Sequence, residues 1–473
     1  MAENEKKNGA RHESLSPRER TALRVCWAVV LIFFVVTGIV SVRKGWYEPP
    51  DPNQSPEVAR RRKHRGTDFT AYYSAGELAR KGRDIYDWPS ASTPFRPFIY
   101  PPIFAIVPMA LLSFLPHNAA LGVFYVLNVG LLFGSAWLLR KMLWPPGTAL
   151  GQGLWRAPEM AIFIAILLCM RFLDSNLKLG NANIVILFFV VLGLYAMQCG
   201  KGIWSGIAIA YATAVKATPG LFGIYFLWAR RGWAMVGGAV GLLLFLIVIP
   251  SGVLGWSKNV DALEKFAGEA GVKFASPKHE VGESTDGEGE GQEALRAIGV
   301  SLRGTMLKLF SPTVSMHHRK EGDVRSVNIL NLAPNTTTRL ATLLSIVLLG
   351  VTIWLTAGQG ARAEAISLAL SWGLVAITML LTSPMTRKAH CVVLLIPVIA
   401  LITLLQQDRL TGHAKKAAWF ALALLPVATL LTGEGLLGER ASEYLHAIGT
   451  STWAMLVLYV ATAMALWQQE NEK

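Results

Sequence analysis

Apolar residues in this chain gather in long runs, at residues 23–42, 119–139, 233–250, 340–357 and 454–467, separated by short polar connections. A helix needs about 20 such residues to cross roughly 30 Å of hydrocarbon, so the runs predict membrane spans. With the shorter apolar blocks included, about twelve crossings are expected in an all-α polytopic protein. The first run carries no small-residue cleavage site and leads into Arg43 and Lys44, which reads as a retained anchor.

Three stretches fall outside the runs. Residues 1–21 form a polar tail, expected to be disordered and cytoplasmic. A first loop covers residues 43–98, between spans of an N-terminal module at 22–250. A larger loop covers 251–335 and contains a Gly/Glu/Ser run at 280–293, expected to be a flexible insertion. A C-terminal membrane module follows at 336–473.

Lys and Arg in the short connections set the orientation: Arg140 with Lys141, Lys201, Arg230 with Arg231, Arg362, and Arg409 with Lys415 and Lys416. All can face the cytoplasm if spans pair between them, which puts both long loops outside. That arrangement needs residues 100–115, with Pro101, Pro102 and Pro108, to be re-entrant or interfacial. It also needs 203–228 to be two short helices broken at 216–219. In the rival arrangement both segments are single crossings and the turn at 180–183 is cytoplasmic. The basic run Arg60, Arg61, Arg62, Lys63 and Arg65 sits in the first loop, and long loops translocate with little regard to charge.

The chain has 473 residues, 52% hydrophobic and 16% charged, with a formal net charge of +14. In a soluble protein that charge would point to nucleic acid. Here the bases lie in span connections, where lipid headgroups and topology account for them, and no nucleic-acid partner is expected. Cys26, Cys169, Cys199 and Cys391 fall in apolar segments without metal-ligand spacing and read as small hydrophobic residues. Neither a disulfide framework nor a metal or other cofactor follows.

Candidate chemistry begins in the first loop. Residues 67–80 place Asp68 at a helix start, with Phe69, Tyr72, Tyr73 and Leu78 as an apolar stripe suited to the membrane surface. A carboxylate at that boundary could act as general base toward a hydroxyl, or it could cap the helix. Asp84, Tyr86, Asp87 and Trp88 follow, in the mix of acids and aromatics found in sugar-facing loops; Tyr86 and Trp88 equally suit an interfacial belt. Lys216 stands inside an apolar stretch, where ionisable groups usually face a cavity or a partner, next to the helix-breaking Pro219. Arg387, Lys388 and His390 follow Pro384 and form a basic group able to meet a phosphate or lipid headgroups.

The series Asp68-Phe69-x-x-Tyr72-Tyr73-x-Ala75, then Asp84-x-Tyr86-Asp87, then Phe98-Ile99-Tyr100-Pro101-Pro102-Ile103-Phe104-Ala105 with a Pro-x-Ala-Leu-Leu stretch, resembles glycosyltransferase family 87, the mannosyltransferase-type members of the GT-C membrane fold. Leu179-Gly180-Asn181-Ala182-Asn183 is similar to that family's Gly-Gln-x-Asn, departing at Asn181. Lys216-Ala217-Thr218-Pro219 resembles its Lys-x-x-Pro, followed by the basic turn Arg230-Arg231. Ser383-Pro384 with His390 resembles its Ser-Pro-x-x-Trp-x-x-His, departing at Arg387, and Ser301-Leu302-Arg303-Gly304 is similar to a turn ending the large loop in such proteins. The acidic run at 280–293 has no counterpart in that pattern.

The resemblance implies a multi-pass cell-membrane enzyme with its site on the outer face. It would transfer a hexose, mannose by the resemblance, from a polyprenyl phosphate donor to a lipid-linked or cell-envelope glycan acceptor, with inversion. Such a donor has one phosphate and no nucleotide, so the reaction needs a base for the acceptor hydroxyl and positive charge for the departing phosphate, without a metal or cofactor. Asp68 is then the base. Lys216, His390, Arg387 and, more remotely, Arg303 are the phosphate ligands, and Tyr72, Tyr73, Tyr86, Asn181 and Asn183 contact the sugar or acceptor. Two other classes share the hydropathy: a lipid transporter or flippase, which the break at Pro219 suits, and a non-catalytic envelope scaffold, which leaves the ordered motifs unexplained.

Overall fold

The computed structural model describes residues 15–44, 66–87, 98–145, 153–275, 299–313, 315–317, 324–358 and 363–471. The N-terminal tail, the basic run at 60–65, Trp88 and the acidic run at 280–293 lie outside the described residues. Helices dominate: α1 (Pro17–Lys44), α2 (Thr67–Arg80), α3 (Pro102–Leu112), α4 (His117–Leu143), α5 (Pro158–Leu168), α6 (Met170–Leu179), α7 (Asn183–Gln198), α8 (Gly202–Val215), α9 (Gly220–Trp228), α10 (Gly232–Leu254), α11 (Trp256–Ala275), α12 (Leu302–Phe310), α13 (Pro334–Ala357), α14 (Ala365–Thr382), α15 (Lys388–Gln406), α16 (Gly412–Thr429), α17 (Glu434–Ala447) and α18 (Thr450–Asn471). A two-residue antiparallel ladder, Met316 opposite Arg325 and His317 opposite Val324, interrupts the helical pattern.

Among the described residues, seven helices are long and apolar enough to cross a membrane: α1, α4, α10, α13, α14, α15 and α18. The pair α5 and α6, bent by 63°, passes as an eighth, and α3, α7 and α8 are shorter apolar helices. In hydrocarbon every backbone polar group must bond internally, which a helix does by itself. The outer faces of these helices are greasy: Ile32 of α1, Val126 of α4, Leu243 of α10 and Ile346 of α13 are each more than half exposed. In water such surfaces would be unstable, whereas lipid covers them. Helices α14 and α15 have no such face and form the centre, with Trp372 and the residues from Cys391 to Leu404 buried almost without exception. The protein is therefore a multi-pass membrane protein.

Two expected interruptions have local causes. Pro108 lacks the N–H that an α-helix would use, and α3 widens there into a π turn at Ala105–Met109. Between α8 and α9 the chain leaves the helix at Lys216, whose backbone is extended, and Pro219 disfavours helix at the residue before it. The segment 203–228 is thus two short helices, one of the two arrangements its sequence allows.

Helix α2 departs from expectation. Its stripe was expected to lie along the membrane surface, but Phe69 and Tyr72 are fully buried in protein and Tyr73 and Leu78 are half-buried. Phe69 packs on Phe124 of α4 at 5.3 Å between ring centroids, and Tyr72 on Phe104 of α3 at 5.1 Å. Gly76 permits this closeness: a Cβ there would stand 2.4 Å from the Met109 carbonyl carbon. Cys199 also differs, being exposed at the end of α7, whereas Cys169 and Cys391 are buried.

Candidate active site

The end of α6 and the start of α2 are tied together. The Gly66 N–H donates to the Lys178 carbonyl at 2.7 Å, immediately before α2 begins. Helix α6 then ends at Gly180, whose φ of 63° is left-handed and whose missing side chain matters twice, because a Cβ would lie 2.6 Å from Phe69 Cβ. The turn that follows presents Asn181 to Asp68: Asn181 Nδ2 donates to Asp68 Oδ2 at 2.6 Å. Helix α2 takes its N-cap from left-handed Gly66, with no side-chain cap, so Asp68 does not cap it and its carboxylate points to a partner 113 residues away.

Two residues on, Asn183 opens α7 and bridges two further segments. Its Nδ2 donates to the Ala389 carbonyl at 3.0 Å, and its Oδ1 accepts from Lys216 Nζ at 3.2 Å. Lys216 Nζ lies 2.7 Å from His390 Nε2 and 5.6 Å from the Tyr100 ring centroid, a cation–π distance. Asp68 and Arg387 are the charged groups acting on it. The Arg387 N–H donates to His390 Nδ1 at 3.1 Å. A neutral imidazole has one N–H and one acceptor nitrogen, so acceptance at Nδ1 puts the proton on Nε2, facing the lysine donor. An anionic oxygen beside the pair could accept from both.

The cluster thus joins a carboxylate, two buried amides and three cationic or titratable groups from the first loop, the turn after α6, the break after α8 and the start of α15. Asp68, Lys216, Arg387 and His390 are each partly exposed, and Asn181 and Asn183 are buried. The acid can take a proton; the bases can hold an anion.

The other expected site residues lie around this cluster. Tyr72 sits beside it, its ring 5.1 Å from that of Tyr100, and burial together with the Tyr100 and Asp68 charges pushes its phenol well above the usual tyrosine range. Tyr86 donates to the Tyr100 carbonyl at 2.7 Å, and burial raises its phenol as well, so it props Tyr100 from behind. Tyr73 is spent elsewhere, donating to the Leu115 carbonyl at 2.8 Å. Arg303 is buried in α12, whose N-cap Ser301 accepts from the Gly304 N–H and whose neighbour Val300 donates to the Thr386 carbonyl at 2.9 Å. Lys388, expected beside Arg387 and His390, instead places Nζ 2.7 Å from His446 Nε2. Tyr100 was given no role from the sequence, although the Tyr-Pro-Pro motif contained it. Among the described residues no group of His, Cys, Asp and Glu side chains could hold a metal ion.

Residues 98–277 match the family model of Glycosyltransferase family 87. A curated relative, the polyprenol-phosphate-mannose-dependent alpha-(1-2)-phosphatidylinositol pentamannoside mannosyltransferase of Mycolicibacterium smegmatis, is 30% identical over 151 residues. That alignment covers 30% of this chain and 31% of the relative, so the match spans about a third of the relative's length. Among solved structures, ArnT from Cupriavidus metallidurans bound to undecaprenyl phosphate aligns with a TM-score of 0.42 and 13% identity, and its apo state with 0.38 and 14%. Each alignment covers 94% of this chain and 77% of the other. Residues 98–277, which contribute Tyr100, Asn181, Asn183 and Lys216 to the cluster, are thus similar to glycosyltransferase family 87.

Proposed function

We propose that the protein is a membrane glycosyltransferase of the GT-C type, moving a hexose from a polyprenyl phosphate to a lipid-linked or cell-envelope acceptor on the outer face. The curated relative is named for polyprenol-phosphate-mannose dependence, which favours mannose. The observation that carries the reading is the pairing within one cluster of Asp68, held by Asn181, with Lys216 and His390, held by Asn183 and the Arg387 backbone.

Asp68 accepts the proton of the attacking acceptor hydroxyl, and Asn181 fixes which carboxylate oxygen is free to do so. The hydroxyl oxygen bonds to the anomeric carbon as the carbon–phosphate-oxygen bond breaks, so one displacement inverts that carbon. The electron pair leaves with the phosphate, and Lys216, His390 and Arg387 stabilise its added charge. Tyr100, half-buried, walls the side next to Lys216, where a sugar ring can stack, and Tyr72, fully buried behind it, packs on that wall and does not meet the sugar. Arg303 and Tyr73 are assigned no contact with the reacting atoms.

The test is transfer from labelled polyprenyl phosphomannose by purified protein. Asp68→Asn should abolish transfer while the variant elutes and melts as the parent does; normal transfer by Asp68→Asn overturns the base assignment. The break after α8 also suits a transporter. Movement of labelled donor across a vesicle bilayer with its sugar still attached would favour that reading.

A further inference from the structure

Helix α14 ends at Thr382 because Pro384 disfavours helix at the residue before it, and Ser383 is extended, with φ −75° and ψ 122°. The turn that follows is held from three sides. The Ser383 N–H donates to the Met379 carbonyl at 3.2 Å and the Thr386 N–H to the Ser383 carbonyl at 3.3 Å. The Val300 N–H, just before α12, donates to the Thr386 carbonyl at 2.9 Å. The Ser383 side chain therefore has a fixed place, 8% exposed, and its Oγ is buried with no hydrogen-bond partner in the protein. A buried hydroxyl in that condition is costly, and most find a partner in protein or ordered water.

A small cavity lies beside it. Ser383, Asn183, Thr218, Thr386 and His390 line this cavity, and apolar side chains of α7, α14 and α15 close the rest. It offers about 10 Å³ to the centre of a water, room for one molecule and no more. A sugar or a phosphate does not fit; a water does. Asn183 has valence to spare for it: Oδ1 takes one bond, from Lys216, of the two it can accept, and Nδ2 gives one, to Ala389, of the two it can donate. His390 is engaged at both nitrogens, with Nδ1 accepting from the Arg387 N–H and Nε2 against Lys216. Asn183 is thus the member of the cluster that a water in the cavity can hold, and the hydroxyls of Ser383, Thr218 and Thr386 complete the two to four partners a buried water needs.

We infer that one water in this cavity bridges Ser383 Oγ to the Asn183 amide, which makes Ser383 a positioning residue for Lys216. Through that water the turn after α14 fixes the rotation of the Asn183 side chain, and Asn183 Oδ1 in turn sets where the Lys216 amine stands beside His390. Thr218 lies two residues after Lys216 and lines the same cavity, so the water also joins the break after α8 to that turn. The water follows from the cavity and the buried hydroxyl; its consequence for a departing phosphate rests on the glycosyltransferase reading.

Two substitutions separate the hydroxyl from the water. Ser383→Ala removes the hydroxyl. Ser383→Thr keeps it, on an extended backbone that suits a β-branched residue, and its added methyl takes the water's space. A substrate-free structure of the parent at a resolution that shows waters should have a peak within hydrogen-bond distance of Ser383 Oγ and the Asn183 amide, absent from the Ser383→Thr protein. Both variants should raise donor KM about threefold to tenfold, the worth of one hydrogen bond, with kcat close to the parent's. A parental KM in either variant, or a loss confined to kcat, overturns the positioning role, and an empty cavity in the parent overturns the water. The peak is read without turnover, so the water is tested even on a protein that transfers no sugar.

Discussion

Asn181 holds Asp68 through a hydrogen bond of 2.6 Å that joins the first loop to the turn after α6. The bond leaves one carboxylate oxygen engaged and the other available, and it orients a side chain whose own helix gives it no cap. Asn181→Ala should therefore lower kcat about tenfold to a hundredfold, the loss of one hydrogen bond to a charged group, with little change in donor KM. Steady-state kinetics with labelled donor separate the two parameters. A change confined to KM would show that Asn181 contacts the donor and does not orient the base.

Lys216 has the opposite signature. Its amine bonds Asn183 and touches His390, and none of these partners has charge to neutralise a phosphate alone. Lys216→Gln should raise donor KM by about tenfold or more through loss of a charge-assisted contact. Lys216→Arg should not restore it, because a planar fork does not fit a position 2.7 Å from an imidazole nitrogen. Full rescue by arginine would mean that charge alone matters there.

Gly180 carries a prediction about stability. Its left-handed φ and the 2.6 Å that would separate a new Cβ from Phe69 Cβ both oppose a side chain. Gly180→Ala should cost roughly 1–3 kcal/mol, seen as a lower melting temperature in detergent, and should reduce transfer by moving Asn181 away from Asp68. A melting temperature equal to the parent's would refute the close packing of α2 on this turn.

Asp84 and Lys265 form an ion pair that docks the end of the first loop on α11, beside a bond from Lys258 Nζ to the Gly82 carbonyl at 3.1 Å. For Asp84, burial alone would raise the carboxyl, but Lys265 and the Tyr86 N–H outweigh it and hold it below its ordinary 3.8. Asp84 raises Lys265 above its ordinary 10.5. A lowered acid stabilises fully above its ordinary value and loses that as pH falls through its folded value; a raised base stabilises fully below its ordinary value and loses that as pH rises through its folded one. Amide protection of residues 82–87 should stay level across the neutral range and weaken on acidification below the ordinary carboxylate value. Lys265→Gln should remove the acid-side loss, and a steep slope near neutrality would exclude the pair as its cause.

Much of this was legible in the chain. The extended Lys216 and the helix break before Pro219 follow from local chemistry that needs no partner, as does the wide turn at Pro108. Period and composition could show that Phe69 and Tyr72 share a face with an apolar character, but not what covers it; the covering rings, Phe104 and Phe124, lie more than 30 residues downstream. The same limit hid the partner of Lys388. Neighbours in sequence suggested one basic group at 387–390, and only the packing of α17 and α6 against that stretch divides it.

That division gives the four residues from Arg387 to His390 two faces, one toward Lys216 and the other toward His446. Lengthening or shortening it by a single residue would turn Lys388 and His390 away from their partners at once, so one small indel there would undo both contacts together. Point substitutions, by contrast, can remove either contact while sparing the other, so the two neighbourhoods can be separated one side chain at a time.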